Sequence, residues 1–300
     1  MRALEDFLRP TQEQLFERIC KRFNEKTLVS RGNFVLVKGV APVMLVAHLD
    51  TVHEQPVREI CAADNDNILS SPQGIGGDDR CGCYALVKIH ELSGKKPWLL
   101  FTCEEEVGGI GAQVFSDYYA QGRLPAELDL LKCLVEVDRR GSDDAVFYDC
   151  YNPDFEAYIT GKGFKTAFGS FSDISVIAPA LDIAAVNLSC GYYAAHTRDE
   201  YIVRAEVEDT IKKIIEIVAD SIRADFPRHE YDTSSYYDDW WQEEESVAIP
   251  ADLPVEYNNI YEELRYVYTA EQLEEIRLQY GNNILWQLYC DEFGSPYFSR

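Results

Sequence analysis

Residues 98–109 read Trp98-Leu99-Leu100-Phe101-Thr102-Cys103-Glu104-Glu105-Glu106-Val107-Gly108-Gly109. An apolar run that ends abruptly in charge is the pattern of a buried strand emerging at the carboxyl edge of an α/β sheet. Such edges are where these sheets bind ligands and metals. Three adjacent carboxylates repel one another, so the stretch is stable only beside cations or in open water. A solvated acidic loop is the plain alternative for a glutamate run, and the surrounding sequence has to decide between the two.

On either side the same grammar repeats. Residues 33–38 and 43–47 read as neighbouring strands across the turn Gly39-Val40-Ala41-Pro42, and 131–137, 145–148 and 183–188 as further strands. Between them lie helical patterns at about 80–92, 112–119 and 207–222, the last with Ile211, Ile214, Ile215 and Val218 on one face. Upstream, Thr11-Gln12-Glu13-Gln14 is a capping box followed by the stripe Leu15, Ile19, Cys20 and Phe23. Residues 54–77 are polar and turn-rich. Strands alternating with helices predict an α/β fold, a three-layer αβα arrangement on a mostly parallel mixed central sheet.

After Asp225 the composition changes. Residues 226–300 hold 16 acidic residues against 4 arginines and no lysine, half of the chain's net charge of −24. This part also holds ten of the 19 tyrosines and three of the 4 tryptophans, too many aromatics for plain disorder. The expected organisation is the α/β domain at 1–225 and, at 226–300, an acidic linker with a partly helical extension, its helix opened by the capping box Thr269-Ala270-Glu271-Gln272. That extension could cover the mouth of a site on the first domain, mediate self-association or bind a protein partner.

Charge and cysteine usage narrow the function. A field of −24 argues against nucleic acid or an anionic membrane as partner. No apolar run approaches the ~20 residues of a membrane span, and the charged start Met1-Arg2-Ala3-Leu4-Glu5-Asp6 does not resemble a signal peptide. Nine scattered cysteines suit free thiols in a reducing cytoplasm, and Cys81-Gly82-Cys83 is one residue short of a zinc-thiolate spacing.

Four further places carry liganding side chains. His48 and Asp50 sit two apart at a strand end, where alternate residues share a face, so His48 could bind a metal while Asp50 orients it. Asp78 and Asp79 follow two glycines at a helix start, Asp138 ends another strand, and His196 lies in a Gly/Tyr-rich loop. Singly these read as a buried histidine, a helix cap and a surface ion pair. Together they offer nitrogen and oxygen ligands that suit two ions sharing a bridging carboxylate.

The stretches Ala47-His48-Leu49-Asp50-Thr51-Val52, Gly77-Asp78-Asp79-Arg80, Thr102-Cys103-Glu104-Glu105-Glu106-Val107-Gly108, Val137-Asp138-Arg139-Arg140-Gly141 and Ala195-His196-Thr197 resemble, in that order, the motifs of the co-catalytic zinc exopeptidases. These include zinc aminopeptidases, peptidase T-like tripeptidases and glutamate carboxypeptidases. The resemblance implies a zinc exopeptidase-like fold and two divalent ions, zinc before cobalt or manganese. It implies that Asp78 bridges them, that His48 and Asp138 complete one site, and that Glu106 and His196 complete the other. Glu105 would be the general base and Asp50 the residue that orients His48. Glu104 stands where the family more often has Asp. Asp138 and His196 are only 58 positions apart, which leaves no room for the family's lid domain, so the chain looks like a minimal catalytic domain.

The expected activity is amide hydrolysis, removal of the N-terminal residue of short peptides. A carboxypeptidase or N-acyl-amino-acid deacylase with the same metals is the alternative, and a non-catalytic metal-containing interaction module is the rival of another class. Arg139, Arg140, Lys162 and Arg198 are candidates to hold a substrate carboxylate, and Asp173 to hold an amine.

Overall fold

Strands of near-continuous apolar sequence build the centre of the protein. In the computed structural model the described residues are 3–53, 55–169, 171–233 and scattered positions between Leu253 and Leu288. The chain divides into two compact units, Met1–Thr233 and Ser234–Arg300.

The first unit is organised on an eight-stranded sheet. Its strands are β1 (Thr27–Ser30), β2 (Phe34–Val37), β3 (Val43–His48), β6 (Trp98–Thr102), β7 (Cys133–Arg139), β8 (Asp144–Val146), β9 (Lys165–Thr166) and β10 (Ala185–Ser189). Across the sheet they run β1-β2-β6-β3-β7-β10-β8-β9. The central strands β6, β3, β7 and β10 are mutually parallel, whereas β1/β2, β2/β6 and β10/β8 are antiparallel. Every residue of β3 and β6 is buried, as expected for strands covered on both faces.

The pleat divides these residues between two cores. Val35, Leu45, Ala47, Leu99, Phe101, Val135 and Val137 face one side. There they meet α1 (Glu5–Leu8), α2 (Gln12–Phe23), α3 (Gly77–Leu92), α5 (Pro153–Thr160) and α7 (Arg204–Ser221). Their alternates Phe34, Leu36, Met44, Val46, Trp98, Leu100 and Leu134 face α4 (Ile110–Ala120) and α6 (Asp173–Leu181). Period-2 alternation in the strands thus produces the three layers. Each fully buried Leu or Phe contributes about 1.5–3 kcal/mol, and this holds the strand ends in fixed places.

Local signals act as read. Thr11 caps α2, its hydroxyl accepting the Gln14 N–H at 3.3 Å while Gln14 Oε1 accepts the Thr11 N–H at 3.2 Å. Asp78 and Asp79 lie at the start of α3 with non-helical torsions, joined by a cis peptide bond, so the regular helix starts near Arg80. That helix lies very close to β7. A Cβ at Gly82 would stand 2.1 Å from the Val137 carbonyl oxygen.

Two expectations need correction. β2 and β3 are not neighbours, because β6 lies between them. The turn at 39–42 opens to admit it, its Val40 and Ala41 N–H groups donating to the Lys96 carbonyl at 2.8 and 2.9 Å. Residues 54–77 also contain strands, β4 (Cys61–Ala63) and β5 (Ile68–Ser70). With β11 (Tyr192–Tyr193) and β12 (Tyr201–Val203) these form a small antiparallel sheet, β11-β12-β5-β4. Strands of two or three residues are too short to show alternation, which is why pattern reading passes over them.

From Phe226 to Thr233 the chain forms neither helix nor strand and still belongs to the first unit. Phe226 is buried in its core, His229 N–H donates to the Lys132 carbonyl, and Ala184 N–H donates to the His229 carbonyl. In the second unit Leu253, Ile260, Tyr261, Leu264, Leu273 and Leu285 form a small core of their own, and residues 276–278 are helical. The capping box at 269–272 and Trp240, Trp241 and Trp286 lie outside the described residues. Among the described residues no helix is long and apolar enough to cross a membrane.

Candidate metal centre

Three parallel strands deliver the site at their carboxyl ends. β3 ends on His48, level with Thr102 at the end of β6, and β7 carries Glu136 and Asp138 on its other flank. The loop after β6 brings Glu104–Glu106, the start of α3 brings Asp78, and the turn between β11 and β12 brings His196.

These side chains converge. His48 Nε2 lies 3.1 Å from Asp78 Oδ1 and 3.4 Å from Asp138 Oδ1. The second oxygen of the same carboxylate, Asp78 Oδ2, lies 3.2 Å from His196 Nε2, which is itself 3.1 Å from Glu106 Oε2. Asp78 therefore faces two compartments, one made by His48 and Asp138 and one by Glu106 and His196. His48 is 1% exposed and His196 59%, so the cluster is sealed on the sheet side and open on the other.

The supporting contacts are specific. His48 Nδ1 lies 3.2 Å from Asp50 Oδ1, and Asp50 Oδ2 accepts the Glu106 N–H at 3.0 Å. Tyr192 donates its hydroxyl to Asp138 Oδ1 at 3.1 Å and Ser172 to Asp138 Oδ2 at 3.2 Å. Asn187 Oδ1 accepts the Asp138 N–H at 2.9 Å.

Electrostatics mark the cluster as a place for cations. Burial disfavours charge on His48, yet Asp138, Asp50 and Asp78 hold its pKa well above the ordinary value. Hydrogen bonds accepted by Asp78 and Glu106 from its ring push His196 up to about 11. Burial and the neighbouring Asp78 push Asp138 up to about 7. Glu105 is pushed up to about 9 by burial, with Asp138, Asp173 and Glu106 adding to it. So many carboxylates in one buried place draw protons onto both imidazoles and onto one another.

The donor set fits divalent ions. His48, Asp78 and Glu106 each place one ligand atom within 4.8 Å of the others, as do His48, Asp79 and Asp138. Glu106 Oε1 is buried and meets no donor, as expected of an oxygen that serves a metal. Asp79 is different. Its Oδ2 accepts the His48 N–H at 3.2 Å and its Oδ1 accepts the Gly82 N–H at 2.9 Å. Both oxygens are engaged in joining β3 to α3, so Asp79 positions the site and Asp138 faces it.

The structure brings His48, Asp50, Asp78, Glu105, Glu106, Asp138 and His196 together; the substrate candidates are scattered. Arg139 is already engaged, with Nη2 donating to the Phe168 carbonyl at 2.9 Å and Nε 3.7 Å from Asp144. Lys162 pairs with Asp220 at 2.7 Å, an anchor between α5 and α7. Arg140 and Arg198 are both exposed. Asp173 is fully buried, its Oδ2 accepting the Thr102 hydroxyl while Oδ1 meets no donor. Sequence reading pairs Asp79 with Asp78 but gives it no role of its own, and it passes over Tyr192, Ser172, Asn187, Glu200 and His53. Partners of this kind carry no spacing signal; only the fold brings them to the cluster.

No protein-family model and no curated protein matches the chain. Solved structures do. Aminopeptidase PepT from Bacillus cereus is 14% identical, with 74% of this chain and 98% of that one covered at a TM-score of 0.54. A tripeptidase from Staphylococcus aureus is 13% identical, covers the same shares and has a TM-score of 0.53. The TET1 peptidase of Pyrococcus horikoshii, which can assemble into a tetrahedron or a large octahedral shell, is 15% identical over 72% and 98% at 0.54. With the strand order and the carboxyl-edge cluster described above, these likenesses establish that the chain has the zinc exopeptidase-like α/β fold.

Proposed function

We propose that this protein is a metal-dependent hydrolase of amide bonds that removes the N-terminal residue from short peptides. The observation that carries the reading is the two-sided Asp78 carboxylate, with His48 and Asp138 on one side and Glu106 and His196 on the other. Mixed imidazole and carboxylate donors suit zinc, with cobalt or manganese able to fill the same set. Two divalent ions held there would polarise the scissile carbonyl and make water acidic enough to attack at neutral pH.

The chain's own residues do the rest. Asp50 fixes the His48 ring and the Glu106 backbone at once, so both compartments keep one geometry. Glu105 stands beside a ligand without being one; two cations held there would offset the neighbouring carboxylates that push its pKa up and leave it ionised, so that it takes the proton from the attacking water and returns it to the departing amine. The surrounding acidic residues favour an ammonium end over a carboxylate end, and Arg139 is held by Phe168 and Asp144. Both points favour an aminopeptidase over a carboxypeptidase or deacylase. The described cysteines are all free thiols, which suits action in the cytoplasm. Self-association, with residues 226–300 as its proposed seat, is tested by sedimentation of the full chain.

The test is metal content of protein dialysed against trace zinc, followed by assay on a tripeptide, its N-acetylated form and its C-amidated form. Two ions per chain with cleavage of the free and amidated peptides alone is the expected result. Cleavage confined to the acetylated peptide would establish the deacylase, and two ions with no cleavage the interaction module.

A further inference from the structure

Glu200 is a fully buried carboxylate outside the metal cluster, and it accepts three hydrogen bonds. Asp78 N–H donates to Oε1 at 2.9 Å, Gly76 N–H to Oε2 at 2.9 Å, and His53 Nε2–H to Oε2 at 2.8 Å. Each donor lies on a segment that leads to or from a proposed ligand. His53 follows His48 by five positions, Gly76 and Asp78 open α3, and Glu200 itself follows His196 by four. Three ligand-bearing loops thus meet on one side chain.

Its own position is fixed from the other side. β12 starts at Tyr201 and pairs with both β11 and β5, so the small sheet sets where the Glu200 side chain enters. The backbone it grips has no slack. A Cβ at Gly77 would lie 2.7 Å from Tyr192 Cβ and 3.2 Å from Glu200 Oε1. Placing an anion so near Asp78 costs electrostatic energy; three N–H donors offset part of that cost, and divalent cations would offset more.

We propose that Glu200 is a positioning residue for the metal centre, holding the Asp78 backbone so that its two carboxylate oxygens stay aimed at the His48 and His196 sides. The proposal rests on the di-metal reading. It also explains why a carboxylate is needed there. Three donors require acceptors at both oxygens, and an amide would turn one of them into an NH2 group facing N–H.

The experiment uses the full-length protein with zinc alone as probe. Affinities for both ions are measured by chelator competition in wild type and in Glu200→Gln, which keeps the shape and removes one acceptor. The melting temperature of the metal-free protein is measured alongside. The expected result is zinc affinity weakened by about 10–100-fold, with kcat lowered, KM near wild type, and kcat restored by excess zinc. A purely structural role would lower the melting temperature without a loss that zinc restores, and that outcome overturns the proposal. So does wild-type affinity for both ions in Glu200→Gln. Should that variant fail to fold, His53→Ala, which removes one of the three donors, carries the test in the same direction and is overturned by the same result. A wild-type protein that takes up no zinc would bring down the di-metal reading itself.

Discussion

His48 Nδ1 stands 3.2 Å from Asp50 Oδ1, and Asp50 gives its other oxygen to the backbone N–H of Glu106 at 3.0 Å. One carboxylate thus orients a ring at the end of β3 and a loop at the end of β6. Replacing Asp50 by Ala frees both. Metal affinity or turnover should fall by about 10–100-fold, read by chelator titration and steady-state kinetics; wild-type values in both would remove Asp50 from this role.

Glu105→Gln separates proton transfer from metal holding. The variant should keep its full metal content and lose about 10²–10⁴-fold in turnover. Elemental analysis and kinetics on the same preparation decide the matter, and undiminished turnover would assign the base to another group.

Asp78→Ala should lose both ions, because both compartments share that carboxylate. Stripping the wild type with a chelator should lower its melting temperature, since ions bound only by the folded state stabilise it, and zinc should restore it. A variant with full metal content would end the bridging assignment.

His90 supplies a pH test away from the centre. Its Nε2 is buried without a partner and its ring packs edge-on against Phe23 at 5.0 Å. Burial, with Lys96, Lys26 and Arg22 nearby, pushes its pKa down to about 4 from 6.5. The folded chain therefore refuses a proton that the unfolded chain accepts. Stability from this residue is full above pH 6.5, falls as the pH drops towards 4, and changes no further below it. Urea midpoints at pH 7 and pH 5 should fall less in His90→Leu than in wild type, and equal falls would count against this.

Gly82→Ala tests the contact of α3 with β7. The added methyl would meet the Val137 carbonyl at 2.1 Å and both Asp79 oxygens at 2.4 Å. A loss of about 1–3 kcal/mol is expected from overpacking, together with weaker metal binding as Asp79 is displaced from His48. Chemical denaturation reads the first and chelator competition the second; a wild-type denaturation curve would show that the helix can move aside.

Much of this protein is determined by sequence alone. The buried runs at 43–48 and 98–102, one ending on His48 and the other followed by Glu104–Glu106, pointed to the class of sheet and to the edge that carries the candidate site, because apolar periodicity and abrupt charge are local properties of the chain. The seven residues His48, Asp50, Asp78, Glu105, Glu106, Asp138 and His196, which the fold brings together, could be named as candidates for the same reason, each lying in a short motif at a strand end or loop. Tertiary structure alone decided the rest. It put β6 between β2 and β3, since strand order depends on which buried faces pair rather than on which follow in sequence. It formed the β4, β5, β11 and β12 sheet from strands too short to carry a pattern. It also engaged Arg139 and buried Asp173. And it brought Glu200, 122 positions from Asp78, to that residue's N–H, a contact between distant parts of the chain that exists only once the small sheet has closed over the start of α3.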